Sequence, residues 1–167
     1  TQPVQIAELI ADKTAGSSIT LNDSVGINTS TGFINGIINS STTKELIFLD
    51  NAGYTGASNT SFVNGPCKKM GNDAFVFPVG KINTLAPISI GAPLITTNVF
   101  SAEYFMNVPH TNGYDSTQKD LSIHHVSAKE YWILNRTAGT SNVAVTLSWQ
   151  TSRSGVVNSL PDLKVAR

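Results

Sequence analysis

The feature that most constrains this chain is an alternation of apolar and polar residues with a period of two. Residues alternate in this way over "FSAEYFMNV", with Phe105 as the exception, and over "VAVTLSW". Such alternation is typical of β-strands that bury one face. The apolar positions of the two stretches are Phe100, Ala102, Tyr104, Met106 and Val108, and Val143, Val145, Leu147 and Trp149. We therefore expect half-buried strands there, with Trp149 in the core.

Other segments extend this β-rich interpretation. Turn-forming stretches such as "NAG", "GND" and "TNG" separate further predicted strands, which are residues 45–50, 74–79, 86–91 and 121–127. The stretch "EYWILN" is apolar on both faces, which predicts a central strand covered on two sides. Helical spacing occurs in "PVQIAELIADKT", through Ile6, Leu9 and Ile10, so a short helix is predicted there.

The first 60 residues have a different texture. Short apolar groups, such as those at Ile19 and Ile27 or at Ile38 and Ile47, recur at intervals of roughly eight to ten residues between small polar turns. This spacing predicts a short-stranded, repeat-like segment over residues 1–60, similar to part of a β-solenoid. Residues 61–167 are predicted to form an antiparallel β-sandwich. The expected fold is thus all-β, an antiparallel sandwich preceded by a solenoid-like segment.

The stretch "SFVNGPCKKMGNDAFVFPVG" predicts a hairpin. The turn Gly71–Asp73 tolerates positive φ and is expected to join paired strands over residues 62–70 and 74–79. Phe75 and Phe77 lie two residues apart, which is the spacing of core residues on one face of a strand.

The composition bears on the environment of the protein. Charged residues make up 13% of the chain, about half the usual share, while Ser, Thr and Asn supply 51 of 167 residues. A polar but uncharged surface favours an extracellular β-protein. Eleven basic residues balance eleven acidic ones, so no net charge attracts nucleic acid or anionic lipid. No apolar run reaches the length of a membrane-spanning helix. We therefore expect an extracellular or cell-surface location without membrane insertion.

No complete catalytic constellation is present in the sequence. Cys67 is the only cysteine and has no acid or histidine close by, so we interpret it as a packing residue. Glycoside hydrolysis needs two carboxylates across a cleft, for which Glu103 and Glu130 are the candidates. His124 and His125 are adjacent in a predicted strand and lack the spacing of a zinc site. No nucleotide-binding or hydrolase motif occurs. The chain is predicted to be no enzyme and to need no cofactor.

Two weaker patterns concern ligands. Asn112, Asp115 and Asp120 offer oxygen atoms in "HTNGYDSTQKD" and are candidate calcium ligands, although an ordinary solvated loop is favoured. Exposed aromatic rings would favour carbohydrate binding, because their faces stack on sugar rings. Trp132 and Trp149 share faces with aliphatic residues and are expected to be buried. The candidate exposed rings are Tyr54, Tyr104 and Tyr114.

Four stretches occur in a characteristic order: "SFVNGPCKKMGNDAFVFPVG", "APISI", "FSAEYF" with "PHTNGYD", and "VSAKEYWILNRTAGTSNVAVTLSW". This order, over residues 45–167, resembles a module of very long secreted proteins of Bacteroidota. Such proteins are exported by the type IX secretion system and displayed at the cell surface. The resemblance implies neighbouring domains of a larger chain as partners, with secretion machinery or polysaccharide as further ones. It carries over no catalytic residue. Because such modules continue beyond "LKVAR", we expect this chain to be a fragment, truncated at its C-terminus.

The same context predicts modification and function. Ser24 and Ser116 each follow an aspartate in a short pattern at which secreted Bacteroidota proteins are O-glycosylated, and both lie in predicted turns. The predicted function is that of a non-catalytic structural, display or adhesion module. The alternative is a carbohydrate-binding module whose site lies in loops at one end of the sandwich.

Overall fold

The computed structural model of the protein describes residues 3–14, 16–115 and 117–155, with residues 161 and 165. Strands dominate this part of the chain, and the predicted all-β fold class is confirmed. The strands are β1 (Val4–Asp12), β2 (Ser18–Thr20), β3 (Val25–Asn35), β4 (Ile37–Asn39), β5 (Leu46–Phe48), β6 (Gly53–Thr55), β7 (Val63–Asn64), β8 (Cys67–Met70), β9 (Phe75–Phe77), β10 (Gly80–Lys81), β11 (Thr84–Leu85), β12 (Ile88–Ile90), β13 (Val99–Phe105), β14 (Tyr131–Ala138) and β15 (Val145–Leu147). The helical elements are a 3₁₀ turn, Pro109–Asn112, and an α-helical turn, α1 (Thr151–Ser154).

The first half of the chain forms stacked parallel coils. β1, β3, β5 and β8 lie side by side in a seven-stranded sheet, and each pairs in parallel with the next. Their first residues, Val4, Val25, Leu46 and Cys67, are aligned, so successive coils are 21 residues apart. A second parallel sheet, β2-β4-β7, runs along another side of the stack. The predicted solenoid-like segment is confirmed. The repeat of 21 residues is longer than the spacing of roughly eight to ten residues between apolar groups in the sequence, because one coil contains several apolar groups.

Apolar side chains that stack from coil to coil form the core of this part. Ile27 of the second coil aligns with Phe48 of the third, and both side chains are fully buried. On the second sheet Ile38 aligns with Val63, and these two are also fully buried. A single coil would leave such side chains in water, whereas neighbouring coils bury them against each other. Each coil therefore stabilises the next.

β8 joins the parallel coils to the antiparallel part of the chain. One edge of β8 pairs in parallel with β5, and the other pairs antiparallel with β13, which in turn pairs with β14. A separate antiparallel sheet, β15-β12-β9, shares the core with these strands. The Trp132 indole in β14 donates to the carbonyl oxygen of Ala86 at 2.7 Å, just before β12. Phe77, Ile88 and Tyr104 are buried in the shared core. Two antiparallel layers thus face each other, as the sandwich prediction requires.

The predicted hairpin around Gly71–Asp73 is wrong. β8 does not pair with β9, because both edges of β8 are already occupied by β5 and β13. β9 pairs instead with β12, so the chain turns out of one sheet and into the other. Gly71 permits this turn: its φ is 134°, and a Cβ atom there would lie 2.4 Å from an oxygen of Asp50.

Several other expectations from the sequence are also wrong. The predicted helix is β1, because pairing with β3 outweighs a weak helical spacing. The stretch "EYWILN" contributes to β14, which is an edge strand of its sheet. Residues 121–127 form no strand. Trp149 is 37% exposed, because β15 ends at Leu147 although the alternation in the sequence continues to Trp149. The predicted strands at 45–50, 74–79 and 86–91 are confirmed as β5, β9 and β12.

A buried lysine holds the turn after β8. Lys69 aligns with Phe48 on the inward side of the coils, and only 1% of its side chain is exposed. Its ammonium group donates to the carbonyl oxygen of Leu49 at 2.7 Å and forms an ion pair with Asp73 at 2.6 Å. Burial acts to raise the pKa of Asp73, but hydrogen bonds from Lys69 and from the Asn51 amide outweigh it, so the pKa lies below its usual value.

Acid should therefore weaken the fold through Asp73. Because the folded-state pKa is lowered, the contribution of Asp73 to stability is complete above the unfolded-state value of about 3.9. It is lost as the pH falls through the folded-state value. We expect Asp73→Asn to lower the free energy of unfolding at neutral pH by about 1.5–3 kcal/mol, and to make stability less sensitive to acid.

Urea unfolding at several pH values measures both effects. Asp12→Asn is the control, since Asp12 is an exposed carboxylate at the end of β1. An Asp73→Asn protein with the acid sensitivity of the unaltered chain would contradict this role of Asp73.

Candidate functional site

A polar cluster surrounds the carboxylate of Glu130, immediately before β14. Tyr104 donates its hydroxyl to Glu130 at 2.7 Å, and the Arg153 guanidinium and the Ser154 hydroxyl donate to the same carboxylate. Arg153 also donates to the hydroxyl of Ser148 at 2.7 Å. The side chains of Glu130 and Arg153 are both buried. The cluster therefore fastens α1 to the start of β14 and to β13.

A cleft of about 600 Å³ opens beside this cluster. Its walls come from the end of β13, the loop before β14 and α1, and they include Met106, Lys129, Gln150 and Arg153. The lining residues include no carboxylate. Burial, and next the hydrogen bond to Glu130, raise the pKa of Tyr104 above its usual value. The Tyr104 hydroxyl therefore stays protonated at neutral pH and serves as a donor.

Glu103 and Glu130 lie on opposite faces of the seven-stranded sheet. Glu103 precedes Tyr104 in β13, and successive side chains of a strand point to opposite faces. Tyr104 reaches Glu130 on the inner face, whereas Glu103 lines a groove on the outer face. The structure thus does not bring these carboxylates together across a cleft, which two-carboxylate glycoside hydrolysis requires.

The groove on the outer face has a volume of about 320 Å³ and a polar floor. In one row Ser101 of β13 aligns with Lys68 of β8 and with Asn135 of β14. In the next row Glu103 lies opposite Ile133. The floor therefore presents a carboxylate, an amide and a hydroxyl group side by side, which together accept and donate hydrogen bonds.

The charges in the groove differ in their surroundings. The Lys68 ammonium lies 2.5 Å from a carboxylate oxygen of Glu45, whose side chain is buried in the groove wall. Burial raises the pKa of the Glu103 carboxyl, and the charge of Lys81 partly opposes this. With Lys68 neutralised by Glu45, the groove has no surplus positive charge to attract an acidic ligand, and its chemistry suits neutral polar ligands.

An aromatic stack extends the same face beyond Glu103. Phe105 and Tyr131 are aligned across β13 and β14, with ring centroids 4.9 Å apart and ring planes 6° apart. Tyr114 packs edge-on against Tyr131 at 5.9 Å, and 48% of Tyr114 is exposed. The predicted exposure of Tyr114 is confirmed, and its ring lies at the end of the groove face.

The other two tyrosines predicted to be exposed are not. Tyr104 is fully buried, as its hydrogen bond to Glu130 requires. Tyr54 packs against Phe48, among other rings of the core, and burial, with a smaller effect from Cys67, raises its pKa to about 12. The burial of Tyr104 agrees with the alternation of β13, which places it on the apolar face with Phe100 and Ala102. Tyr54 is partly buried because it packs against rings of β5 and β9.

Cys67 is a core residue, as interpreted from the sequence. It is fully buried, and burial, with a smaller effect from Glu45, raises the pKa of its thiol well above the usual value. His124 and His125 are exposed. The described residues contain no group of three or more His, Cys, Asp or Glu side chains able to hold a metal ion.

The candidate calcium ligands lie in an exposed loop. Asn112 ends the 3₁₀ turn. Asp115 accepts hydrogen bonds from the hydroxyl and the amide of Thr117 at 2.6 and 2.9 Å, which hold its pKa below the usual value. Asp120 accepts a hydrogen bond from the Ser122 amide at 2.8 Å. Bonds of this kind stabilise the turns themselves, and calcium binding stays a prediction.

The candidate glycosylation site Ser24 is half buried at the corner between the first two coils. Its hydroxyl oxygen accepts a hydrogen bond from the Glu45 amide at 3.1 Å and donates one to the carbonyl oxygen of Thr43 at 3.4 Å. A glycan on Ser24 would replace the hydrogen donated to Thr43. Ser116 lies outside the described residues, and both modifications stay predictions.

Sequence reasoning missed the residues that organise these sites. Arg153 is the charged residue of "SWQTSRSG", but its partner Glu130 lies 23 residues earlier, before β14 and β15. Lys68 and Glu45 pair because they belong to neighbouring coils. The 21-residue repeat was the available signal, since it would have placed Lys68 beside Ile47 on the outer face.

Comparison of the chain with protein-family models, with curated proteins and with solved structures finds no match. Among the described residues, no helix has the length and hydropathy needed to cross a membrane. A function for this chain therefore has to be argued from its own geometry.

Proposed function

We propose that this chain is a non-catalytic structural module that displays other parts of a large secreted, cell-surface protein away from the cell. The observation that carries the proposal is the stack of coils, aligned every 21 residues around one continuous core. Adjacent strands of a sheet are about 4.8 Å apart, so each coil lengthens the stack by about that distance. A stack of this kind holds its two ends at a set separation, which is what display requires.

The surface of the stack supports an extracellular setting. Within exposed turns between strands, uncharged hydroxyl groups hydrogen-bond to each other, as between Ser41 and Thr43 at 3.4 Å and between Ser58 and Thr60 at 3.1 Å. Neighbouring domains of the same large protein are the expected partners, with secretion machinery as a further one. The placement of Glu103 and Glu130 on opposite faces supports a role without catalysis.

The proposal is tested by replacement in the complete protein. Residues 3–155 are exchanged for an unrelated β-solenoid of the same height and, in parallel, for a flexible Gly/Ser linker of the same length. If the module is a spacer, the solenoid preserves both the surface exposure of the other domains and cell adhesion, whereas the linker reduces both. Antibody labelling of intact cells and an adhesion assay measure these two properties.

A second outcome would contradict a purely structural role. If the unrelated solenoid preserves surface exposure but abolishes adhesion, the chain itself contains a binding site. The same experiment therefore separates display from recognition.

Carbohydrate binding is the second candidate function, and the outer groove is the observation that favours it. Glu103, Asn135 and Ser101 offer acceptors and donors for sugar hydroxyl groups, and Tyr114 offers an exposed ring at the end of the same face. Because Lys68 is neutralised by Glu45, neutral polysaccharides suit the groove better than acidic ones. This site lies on a sheet face rather than in the end loops expected from the sequence.

A further inference from the structure

The inward apolar row of the coil stack is open at its N-terminal end. Ile6 aligns with Ile27 in the seven-stranded sheet, and Ile19 aligns with Ile38 in the second sheet. Ile27 and Ile38 are fully buried, whereas Ile6 and Ile19 are only partly buried, although both pack against the core. Leu9 is likewise partly buried. Ala11 of β1 is fully buried, but the larger inward side chains of the first coil, Ile6, Leu9 and Ile19, are covered only in part.

The backbone is open at the same end. β1 is the last strand of the seven-stranded sheet, and β2 is the last strand of the parallel β2-β4-β7 sheet. Neither has a partner on its outer edge in the part of the chain that the structure describes. Solenoid ends normally need caps with a polar outer face, but β1 exposes 56% of Val4 and 64% of Ile10. At the other end of the stack, β13 covers the edge of β8.

We propose that a further parallel coil, continuous with the chain before Val4 and built like residues 25–45, covers this open end. This inference rests on the structural role proposed above, and it identifies a neighbouring coil of the same chain as the partner of the open end. The first strand of the added coil pairs with β1 and its second strand with β2, which places apolar side chains over Ile6 and Ile19. A strand edge without a partner is a template for such pairing.

The alignment of the existing coils supports this occupant. Three successive coil pairs are aligned in parallel with the same 21-residue offset, at Val4–Val25, Val25–Leu46 and Leu46–Cys67. Each coil also leads directly into the next, as residue 45 leads into β5. A coil that ends at the residue before Val4 would therefore reach the open edge without a linker.

A second copy of this chain fits the open end less well. Two-fold symmetry would run the two β1 strands antiparallel, whereas the pairings within the coil stack are parallel. The β1–β3 pairing also has register shifts between Ile6 and Glu8 and between Ala11 and Asp12. A parallel coil carries matching bends at matching places, while a reversed strand meets these bends in the opposite order.

The test is the addition of one coil to the full chain. A copy of residues 25–45 is inserted between Pro3 and Val4, which keeps the 21-residue alignment. We expect amide hydrogen exchange in β1 and β2 to slow by about tenfold or more, because both strands gain a second neighbour. The melting temperature should rise by several degrees. The control carries the same insertion with Ile27→Asp and Ile38→Asp in the copy only, and it should show neither change.

Two results would overturn the inference. One is exchange in β1 and β2 that the added coil leaves unchanged, or that the control slows equally. The other is a chain that is already dimeric by light scattering, with β1 protected in the dimer, because a second copy then covers the end. The failure of this inference can be distinguished from the failure of the proposed display function. Hydrogen exchange tests whether a coil covers the open end, whereas the replacement experiment on cells tests the display function.

Discussion

Replacing Arg153 by methionine is expected to lower the free energy of unfolding by about 3–5 kcal/mol. The variant leaves the buried Glu130 carboxylate without its cation, and breaking a buried ion pair from one side leaves an uncompensated charge. Methionine keeps an unbranched apolar side chain of similar reach, so the loss reports on the charge pair more than on packing. Urea unfolding followed by circular dichroism measures the change.

A double variant separates charge from packing in the same cluster. Glu130→Gln combined with Arg153→Met removes both charges and should recover most of the lost stability, because buried ion pairs are often replaced at little cost. Lys44→Met removes an exposed charge and should change stability by less than about 0.5 kcal/mol. A double variant as unstable as Arg153→Met would contradict the importance of the charge pair.

Phe48→Ala is expected to cost about 3–5 kcal/mol. Phe48 is fully buried in the third coil, and its ring centroid lies 5.0 Å from that of Phe75 and 6.0 Å from that of Tyr54. Alanine would leave a cavity where the coils meet the sheet that contains β9. Neither the coils nor the sheet that contains β9 can shift to fill this cavity without breaking strand pairing, so the cavity persists. Thermal or urea unfolding measures the loss.

Val76→Ala is the control for this variant. Val76 lies between Phe75 and Phe77 in β9 but is 45% exposed, so its truncation should cost less than about 1 kcal/mol. Equal stability of the two variants would show that Phe48 does not join two parts of one core. Unfolding of the unaltered chain in two separate transitions would contradict a shared core in a different way.

The all-β fold class and the buried faces of the clearest strands were predictable from the sequence. β13 is the clearest case, since Phe100, Ala102 and Tyr104 are buried as the alternation predicts, while Glu103 points outwards. Side-chain direction along a strand has a period of two whatever the strand pairs with, so this property is local. The solenoid-like character of the first segment was predictable from apolar groups that recur between small polar turns, but the 21-residue repeat was not.

The candidate sites were only partly predictable. Glu103 and Glu130 were identified as carboxylates of interest, but which faces they occupy depended on the pairing of β13 with β14 and β8. Lys68 and Arg153 became important only through Glu45 and Glu130, which approach them in the folded chain.

The choice of strand partners was decided by the tertiary structure alone. Gly71–Asp73 has the composition of a hairpin turn, yet it leads the chain to β12, because β5 and β13 occupy both edges of β8. Residues 4–12 have helical spacing, yet pairing with β3 makes them a strand. The local sequence determines which face of a strand is apolar and where the chain can bend. Which edges meet depends on residues one coil or more apart, whose contacts exist only once the coils have stacked.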